Sequence, residues 1–420
     1  MKTGLNILII GTADTKADEL LFIKRCIEAE GARAQIMDVG VLGTPTFAPT
    51  YSNRDVAAAA GLTIEAIAAL GDENAAMTRI AEGAVELVLD LYAAGQVHGV
   101  LALGGTMGTD LALEVTAALP LGMPKLIVTT VAFSHVIPPE RLAPDLMMIQ
   151  WAGGLYGLNS ICQAILSQAA GAVLGACSTV LTQRDERPRV AIGSLGKSCL
   201  SYMVALTPAL EARGYEPVVF HCTGMGGRAM EALIGQGHFV AVFDLALSEV
   251  ANYLHGSVVN AGAGRLEAAG RRGMPQIVAP GASDMIDVQT WAPLPAAYAG
   301  RPYHAHNRLI ASVTSTREER VALAHCIADK LNQATGPTAF LLPRRGIHAW
   351  DLPDQPLHDP DTHAAYCEAF RLSIKPPVEL HDLNLHINDA AFVDQALAVF
   401  DRWVEEGRIV RGVCAATQTA

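Results

Sequence analysis

The stretch from Asn6 to Lys16 reads NILIIGTADTK, an apolar run that breaks at Gly11 into small and polar residues. A helical pattern follows to about Glu30, Gly31 ends it, and a second apolar run covers residues 34–39. Strand, glycine turn, helix and strand in this order predict a βαβ unit with two parallel strands.

The same order begins again at Arg189. The apolar run 190–192 is broken by GSLGKS at 193–198, a helix runs to Arg213, and residues 217–220 form a strand pattern. Gly-Met-Pro precedes a further strand in each half of the chain, at 122–124 and 273–275. Alternating strands and helices predict an α/β fold with parallel sheets. We therefore expect two Rossmann-like, doubly wound parallel-sheet subdomains that arose by internal duplication; shared turn chemistry without duplication is the alternative.

The charged segment TQRDERP at 182–188 marks the expected boundary between the halves. It gives a first subdomain over residues 1–185, with glycine-rich phosphate-binding turns, and a second over 186–420. The first half has an extra segment, 41–96, with one or two amphipathic helices. The second has an extension after Gly300, expected to add two βα units.

Composition narrows the class of protein. Of the 420 residues, 30 are Lys or Arg and 42 are Asp or Glu, a formal net charge of −12, which disfavours binding to a phosphate backbone. The eight cysteines show no CxxC spacing and no signal peptide precedes the first strand, so we expect a reducing cytoplasm. Residues 146–183 carry no charge but contain polar side chains, so we interpret them as a buried helix or subunit interface rather than a membrane span.

The sharpest ligand signal is LALGGTMGT at 101–109, where a strand ends in glycines and threonines before a helix. Glycines allow a phosphate to approach the backbone, and a helix N-terminus offers free N–H groups. A tight turn with a threonine N-cap is the alternative. GSLGKS at 193–198 is not a Walker A motif, because the first glycine of that motif would fall at Ala191. The residues predicted to bind the cofactor in the first half are Gly11, Thr12, Asp14, Lys16, Gly104, Gly105, Thr106, Gly108, Thr109 and Thr130.

Polar side chains also follow the predicted strands of the second half. His304 and His306 are two residues apart on an extended segment and so face the same side, which suits a metal or proton-transfer site. Helix capping and solvent-facing turns are the alternatives for the others. The candidates for acid, base or metal ligand are Asp244, Glu249, Asp284, His304 and His306. The candidates for binding an anionic substrate are Lys197, Gly226, Gly227, Arg228 and Arg265.

An ordered set of motifs along the whole chain resembles a known family. It includes GTADTK at 11–16, GGTMGT at 104–109, RLEA at 265–268, PGASDM at 280–285 and HIND at 386–389. The chain is similar to the ATP-binding family of the tomato mosaic virus (tobamovirus) resistance protein, which has uncharacterised bacterial members. The resemblance implies ATP binding with Mg²⁺ and a homodimer or higher oligomer. Two strand ends depart from the family pattern, at 129–134 and 192–198, and these would mark a different small molecule.

Three functions are therefore open. The first is a cytoplasmic ATP-binding protein with its ligand in the cleft at the strand ends. The second is an enzyme (a hydrolase, a lyase or an ATP-dependent enzyme) that acts, with or without a metal, on a small anionic metabolite between the halves. The third is a protein-interaction module. We expect a small anion or nucleotide as the partner, and neither nucleic acid nor a membrane.

Overall fold

The computed structural model describes residues 4–179 and 185–413. The chain divides into two compact units, Met1–Gln183 (unit 1) and Arg184–Ala420 (unit 2). Residues 182–184 of the charged boundary segment lie outside the described residues.

Unit 1 is built on a five-stranded sheet in which every pair of neighbouring strands is parallel. Its strands, in chain order, are β1 (Asn6–Gly11), β2 (Arg33–Asp38), β3 (Gly99–Gly104), β4 (Lys125–Thr129) and β5 (Met147–Gln150). Their order in the sheet is β2-β1-β3-β4-β5. The connections reverse direction between β1 and β3, so a crevice opens beyond the carboxyl ends of these two strands.

The helices of unit 1 cover both faces of this sheet. Leu8 and Ile10 of β1 belong to one core, and Ile7 and Ile9 belong to the core on the opposite face. The helices are α1 (Ala17–Ala29), α2 (Asn53–Ala59), α3 (Ile64–Ala68), α4 (Glu73–Ala93), α5 (Thr106–Ala118) and α6 (Ser160–Ser178). The extra segment thus holds three helices rather than one or two. The difference is α3, a single short turn that begins because the Thr63 hydroxyl accepts the Ala66 N–H.

The uncharged stretch from residue 146 is not one helix. It begins with β5 and a loop, and only α6 is helical. One face of α6 is buried, and the helix packs against α1. Within the described residues α6 is the one helix that is long and apolar enough to cross a membrane, and a core helix passes the same test.

Unit 2 repeats the arrangement with a sixth strand. Its parallel sheet runs in the order β7-β6-β8-β9-β13-β14, so its first five strands follow the order found in unit 1. These strands are β6 (Arg189–Ser194), β7 (Glu216–His221), β8 (Ala241–Asp244), β9 (Gln276–Val278), β13 (Thr338–Pro343) and β14 (Glu379–Leu383). The predicted fold class is confirmed, and equal strand order is what a duplication produces.

Seven helices are described in unit 2, and the last two belong to βα units in the extension after Gly300. The helices are α7 (Met203–Ala212), α8 (Met225–Gly235), α9 (Ser248–Leu254), α10 (Ala268–Arg271), α11 (Arg317–Asn332), α12 (Pro360–Ser373) and α13 (Ala390–Glu405). In the extension, β13 leads to α12 and β14 leads to α13.

Unit 2 also contains a small antiparallel sheet that we did not predict. Its strands are β10 (Met285–Gln289), β11 (Tyr303–Ala305) and β12 (Ile310–Thr314), in the order β10-β12-β11. Asp287 and His304 both lie directly opposite Ser312, so these three polar residues share one face. The other face is a separate apolar cluster of Ile286, Val288, Ala311 and Val313.

Candidate functional site

A cavity of about 590 Å³ lies at the carboxyl ends of β1 and β3, where the strand order of unit 1 reverses. Most of the predicted cofactor residues line it, namely Thr12, Asp14, Lys16, Gly104, Gly105, Thr106 and Gly108. Its apolar wall consists of Val39, Val41, Leu42, Ala68, Ala76, Met77, Leu103 and Met107. The apolar residues of the 41–96 segment were not predicted, because they are distant in sequence and carry no motif.

Two helices begin at this cavity without a side-chain cap. α1 starts after Lys16 and α5 starts after Gly105, and among the described residues no side chain accepts a hydrogen bond at either N-terminus. The first N–H groups of a helix need partners and carry a partial positive charge. Both helix starts are therefore available to an anion.

Two adjacent glycines in the β3–α5 turn differ in their surroundings. A Cβ on Gly104 would lie 2.6 Å from the Cα of Gly108, so glycine is needed for the turn to close. A Cβ on Gly105 would have its nearest neighbour, the Thr130 hydroxyl, at 4.0 Å. Gly105 thus borders open space, and its φ of −74° is available to any residue.

Two further predicted residues, Gly11 and Thr109, have structural roles. A Cβ on Gly11 would lie 3.0 Å from Leu20, so this glycine allows α1 to pack on β1. The buried Thr109 hydroxyl donates to the Gly105 carbonyl at 2.7 Å and lies 2.6 Å from the Thr129 hydroxyl. Thr109 therefore holds the turn in place from beneath.

The cavity contains more acidic than basic side chains. Lys16, whose ammonium lies 4.6 Å from the centre of the Tyr156 ring, lines the cavity together with Asp14, Asp72 and Glu73. Asp38 is buried beside them, where burial and the nearby Asp14 raise its pKa although the N–H groups of Ala13 and Gly40 oppose this. Asp14 Oδ1 is buried and has no hydrogen-bond partner among the described residues. An oxygen of this kind suits Mg²⁺, so the residues present fit the metal that the family resemblance implies.

In unit 2 a buried ion cluster is formed by three predicted site residues and Glu231. The three are Asp244, Glu249 and Arg265. Arg265 donates to Asp244 from both terminal nitrogens, to Glu249 at 2.7 Å and to Glu231 at 3.3 Å. Burial raises the pKa values of Glu231 and Glu249, and the charge of Arg265 opposes this shift. The guanidinium is completely buried and its nitrogens all have protein partners. We therefore assign Arg265 and its carboxylates to holding the fold of unit 2.

The predicted glycine cradle of unit 2 already holds an anion. Glu249 Oε1 accepts the N–H groups of Gly224 at 2.5 Å and Gly227 at 3.0 Å, at the start of α8. A Cβ at Gly227 would overlap the Glu249 carboxylate, and one at Gly226 would overlap the His221 carbonyl. These glycines make room for protein atoms.

The two remaining candidates for binding a substrate anion are Arg228 and Lys197. Arg228 donates to the Asn260 carbonyl at 3.1 Å and to its side-chain oxygen at 3.3 Å. Lys197 is exposed in the loop after β6.

Asp284 belongs to a second buried polar network. Its carboxylate lies 3.1 Å from His348 Nε2 and 3.3 Å from the Arg320 guanidinium. Burial opposes ionisation of Asp284, but the charges of His348 and Arg320 lower its pKa. One ligand atom each from Asp284, His348 and Asp351 lies within 4.8 Å of the others, a spacing compatible with a metal. Because Arg320 already supplies a cation there, we interpret the network as structural.

A second cavity, of about 130 Å³, lies where β6, β7 and β8 of unit 2 end. Of the predicted acid, base or metal residues only His306 lines it. His304 and His306 do lie together, with ring centres 4.0 and 5.7 Å from that of Trp350. The unpredicted Asp287 and Trp350 also line this cavity. The alternation of β10 was the signal that could have revealed Asp287.

The two units of the chain each match one domain of a known protein family. Residues 5–182 match the N-terminal domain of the uncharacterised protein family UPF0261, and residues 187–404 match its C-terminal domain. The chain belongs to the UPF0261 family.

UPF0261 relatives of similar length occur in several bacteria. The chain is 53% identical to a UPF0261 protein of Brucella melitensis over 97% of both chains, and 34% identical to one of Clostridium tetani over 92% of this chain and 96% of that protein. It is 29% identical to the ToMV resistance protein Tm-1(GCR237) of Solanum lycopersicum, over 95% of this chain and 55% of the tomato protein. The predicted relationship to the family of the tomato protein is thus confirmed, whereas these comparisons do not show ATP binding.

Among solved structures, a putative UDP-N-acetylglucosamine 2-epimerase from Listeria monocytogenes aligns over 96% of this chain and 97% of that chain. The identity is 10% and the TM-score is 0.22. A superposition of this quality supports no statement about function.

Proposed function

We propose that this UPF0261 protein binds a nucleotide together with Mg²⁺ in the cavity of unit 1, and that ATP is the nucleotide. The observation that carries the proposal is the pair of uncapped helix starts, α1 and α5, at the same 590 Å³ cavity. Cavities that bind small ligands are about 300–1,000 Å³, and the crevice at the strand-order reversal is the usual ligand position in such sheets.

Each part of the cavity suits one part of the nucleotide. The N–H groups at the start of α5, beside Gly105, would bind phosphate oxygens, and the Lys16 ammonium would add a positive charge. The apolar side chains of Val39, Leu42 and Met77 would contact the base.

Mg²⁺ is part of the proposal for an electrostatic reason. One lysine and three carboxylates line the cavity, so a bare triphosphate would be repelled. A magnesium ion bound by Asp14 would offset this repulsion and supply the positive charge that the phosphates need. We therefore expect binding of ATP to depend on Mg²⁺.

The test is thermal unfolding with and without MgATP. A ligand at 100 times its Kd stabilises the folded state by about 2.7 kcal/mol, which corresponds to a rise of roughly 5–10 °C in the midpoint for a unit of this size. Gly105→Asp places a carboxylate at the phosphate position, where the nearest atom to the new Cβ is 4.0 Å away, and should abolish the rise.

Gly171→Asp is the matched control. Gly171 is exposed on α6 and a Cβ there meets no atom within 4 Å, so this variant should keep the full rise. Equal stabilisation of Gly105→Asp and Gly171→Asp by MgATP would contradict the proposal. Equal binding of ATP in excess EDTA would contradict the role of Mg²⁺. Failure of every nucleotide to bind the unmodified protein would favour an interaction role.

A further inference from the structure

We propose that unit 2 carries a second small-molecule site, which binds an uncharged hydroxylated compound against Asp287 and Trp350. This site is independent of the nucleotide proposed for unit 1.

The site is the 130 Å³ cavity between the ends of the parallel strands and the small antiparallel sheet. Leu195 and Gly196 follow β6, and Ser248 begins the helix α9 that follows β8, so the cavity lies at the reversal point between β6 and β8 in unit 2. A water molecule takes up about 30 Å³. The cavity therefore suits a compound of three or four carbon atoms, or one end of a longer compound.

Asp287 is fixed in this cavity by neutral donors. One carboxylate oxygen accepts the Ser312 hydroxyl at 2.7 Å and the other accepts the Asn252 amide at 2.8 Å. The Asn252 side-chain oxygen in turn accepts the Asp287 N–H at 2.8 Å, so the two residues hold each other. Each carboxylate oxygen can accept a further hydrogen bond, which a hydroxyl of the ligand would donate.

The charges around the cavity determine the class of ligand. Among the described residues that line the cavity, Asp287 is acidic and none is a lysine or an arginine. A phosphate or carboxylate would therefore be repelled, in contrast to the anionic metabolite that we expected from the sequence. The Asp287 carboxylate is already held by the neutral donors Ser312 and Asn252, and burial raises its pKa, so the environment disfavours charge.

The remaining lining groups favour hydroxyls over a simple apolar ligand. Thr223 and Ser248 contribute hydroxyls, His306 an imidazole and Asn307 an amide. The Trp350 ring is contacted by His304, with 4.0 Å between ring centres, and also lines the cavity, where the C–H groups of a polyol can pack against its aromatic surface. Donors, an acceptor carboxylate and an aromatic surface together match a small polyol.

Saturation-transfer NMR on the full-length protein tests the site. The probes are glycerol, erythritol and dihydroxyacetone, with glycerol 3-phosphate and ethanolamine as the anionic and cationic counterparts. We expect transfer to the uncharged probes and little to either charged one. Thr223→Val removes a hydroxyl without changing the shape of the side chain, and Asp287→Asn removes the charge. Each should weaken binding about tenfold, the effect expected for one good hydrogen bond.

Asp329→Asn is the matched control, because Asp329 is exposed on α11 in the same unit. It should bind the probes like the unmodified protein. If Asp287→Asn does not fold, Thr223→Val decides the result. The proposal is wrong if no uncharged probe shows transfer, if glycerol 3-phosphate or ethanolamine binds equally well, or if Thr223→Val binds as tightly as the unmodified protein. Stabilisation by MgATP should be the same in every folded variant, which keeps this result separate from that for unit 1.

Discussion

At the scale of single residues, Arg265 shows how a charged side chain can be required for the fold without facing solvent. It is 1% exposed and bonded to Asp244, Glu249 and Glu231. Removing one partner of a buried ion pair leaves the other charge uncompensated, which costs about 3–5 kcal/mol. Here three carboxylates share one arginine, so that arginine is the critical member.

Arg265→Met should therefore destabilise unit 2 by about 3–5 kcal/mol at neutral pH. Burial raises the pKa of Glu231 and Glu249, and without the opposing charge of Arg265 both would bind protons more tightly in the folded than in the unfolded chain. Folded pKa values above the unfolded ones mean that stability falls as pH rises through them, so the loss should shrink as the pH is lowered towards about 5. Urea unfolding at several pH values measures both effects.

Arg271→Met is the control for this substitution, since the Arg271 side chain is 65% exposed and pairs only with Glu267 among the ion partners described for it. It should cost less than about 1 kcal/mol. A loss for Arg265→Met no larger than this would show that the buried cluster contributes little.

The residue scale is also where prediction from sequence reached its limit. Asp244 and Glu249 were predicted to act as acid, base or metal ligand, and Arg265 was predicted to bind an anion. Nothing in their spacing indicates that they bond to one another, as they do in the structure. Asp287 and Trp350 were missed because 63 positions separate them, and only the fold brings them to one cavity.

At the scale of elements, the turn between β3 and α5 separates two roles of glycine. Gly104 is needed because the backbone of Gly108 approaches it, whereas Gly105 borders the cavity. The sequence GGT predicts the turn and the helix start, but it does not show that the two glycines have different roles. Their difference depends on where α5 leaves the sheet.

Gly104→Ala should destabilise unit 1 by about 1–3 kcal/mol, the usual cost of forcing a group into packed structure. Gly105→Ala should cost less than about 1 kcal/mol, because its Cβ meets no close atom. Urea unfolding of the two variants provides the comparison. Equal losses would show that the turn adjusts at both positions.

The parallel strands were predicted well because each is a short apolar run between glycine-containing turns. The antiparallel sheet was not predicted, because β11 has only three residues and two of the five residues of β12 are polar. The helix α3 was also not predicted, because its five residues are too few to show a helical periodicity.

At the scale of the whole molecule, each unit has its own sheet and its own cores. The cores described for unit 1 are built from residues within 5–177, and those described for unit 2 from residues within 190–409. A ligand bound within one unit should therefore change the local stability of that unit.

Hydrogen exchange measured by mass spectrometry checks this expectation. MgATP should slow exchange at the starts of α1 and α5 and leave peptides of unit 2 unchanged. Glycerol should protect peptides of β10 and β12 and leave unit 1 unchanged. Protection by MgATP confined to unit 2 would show that the nucleotide is assigned to the wrong half.

The third strand of each sheet ends differently, in Gly104 for unit 1 and in Asp244 for unit 2. The backbone at Gly104 leaves room for a phosphoryl group, whereas the Asp244 carboxylate at the equivalent position would repel one. Although the chain contains the same order of five strands twice, titration of the protein with MgATP by isothermal calorimetry should therefore saturate at one nucleotide per chain.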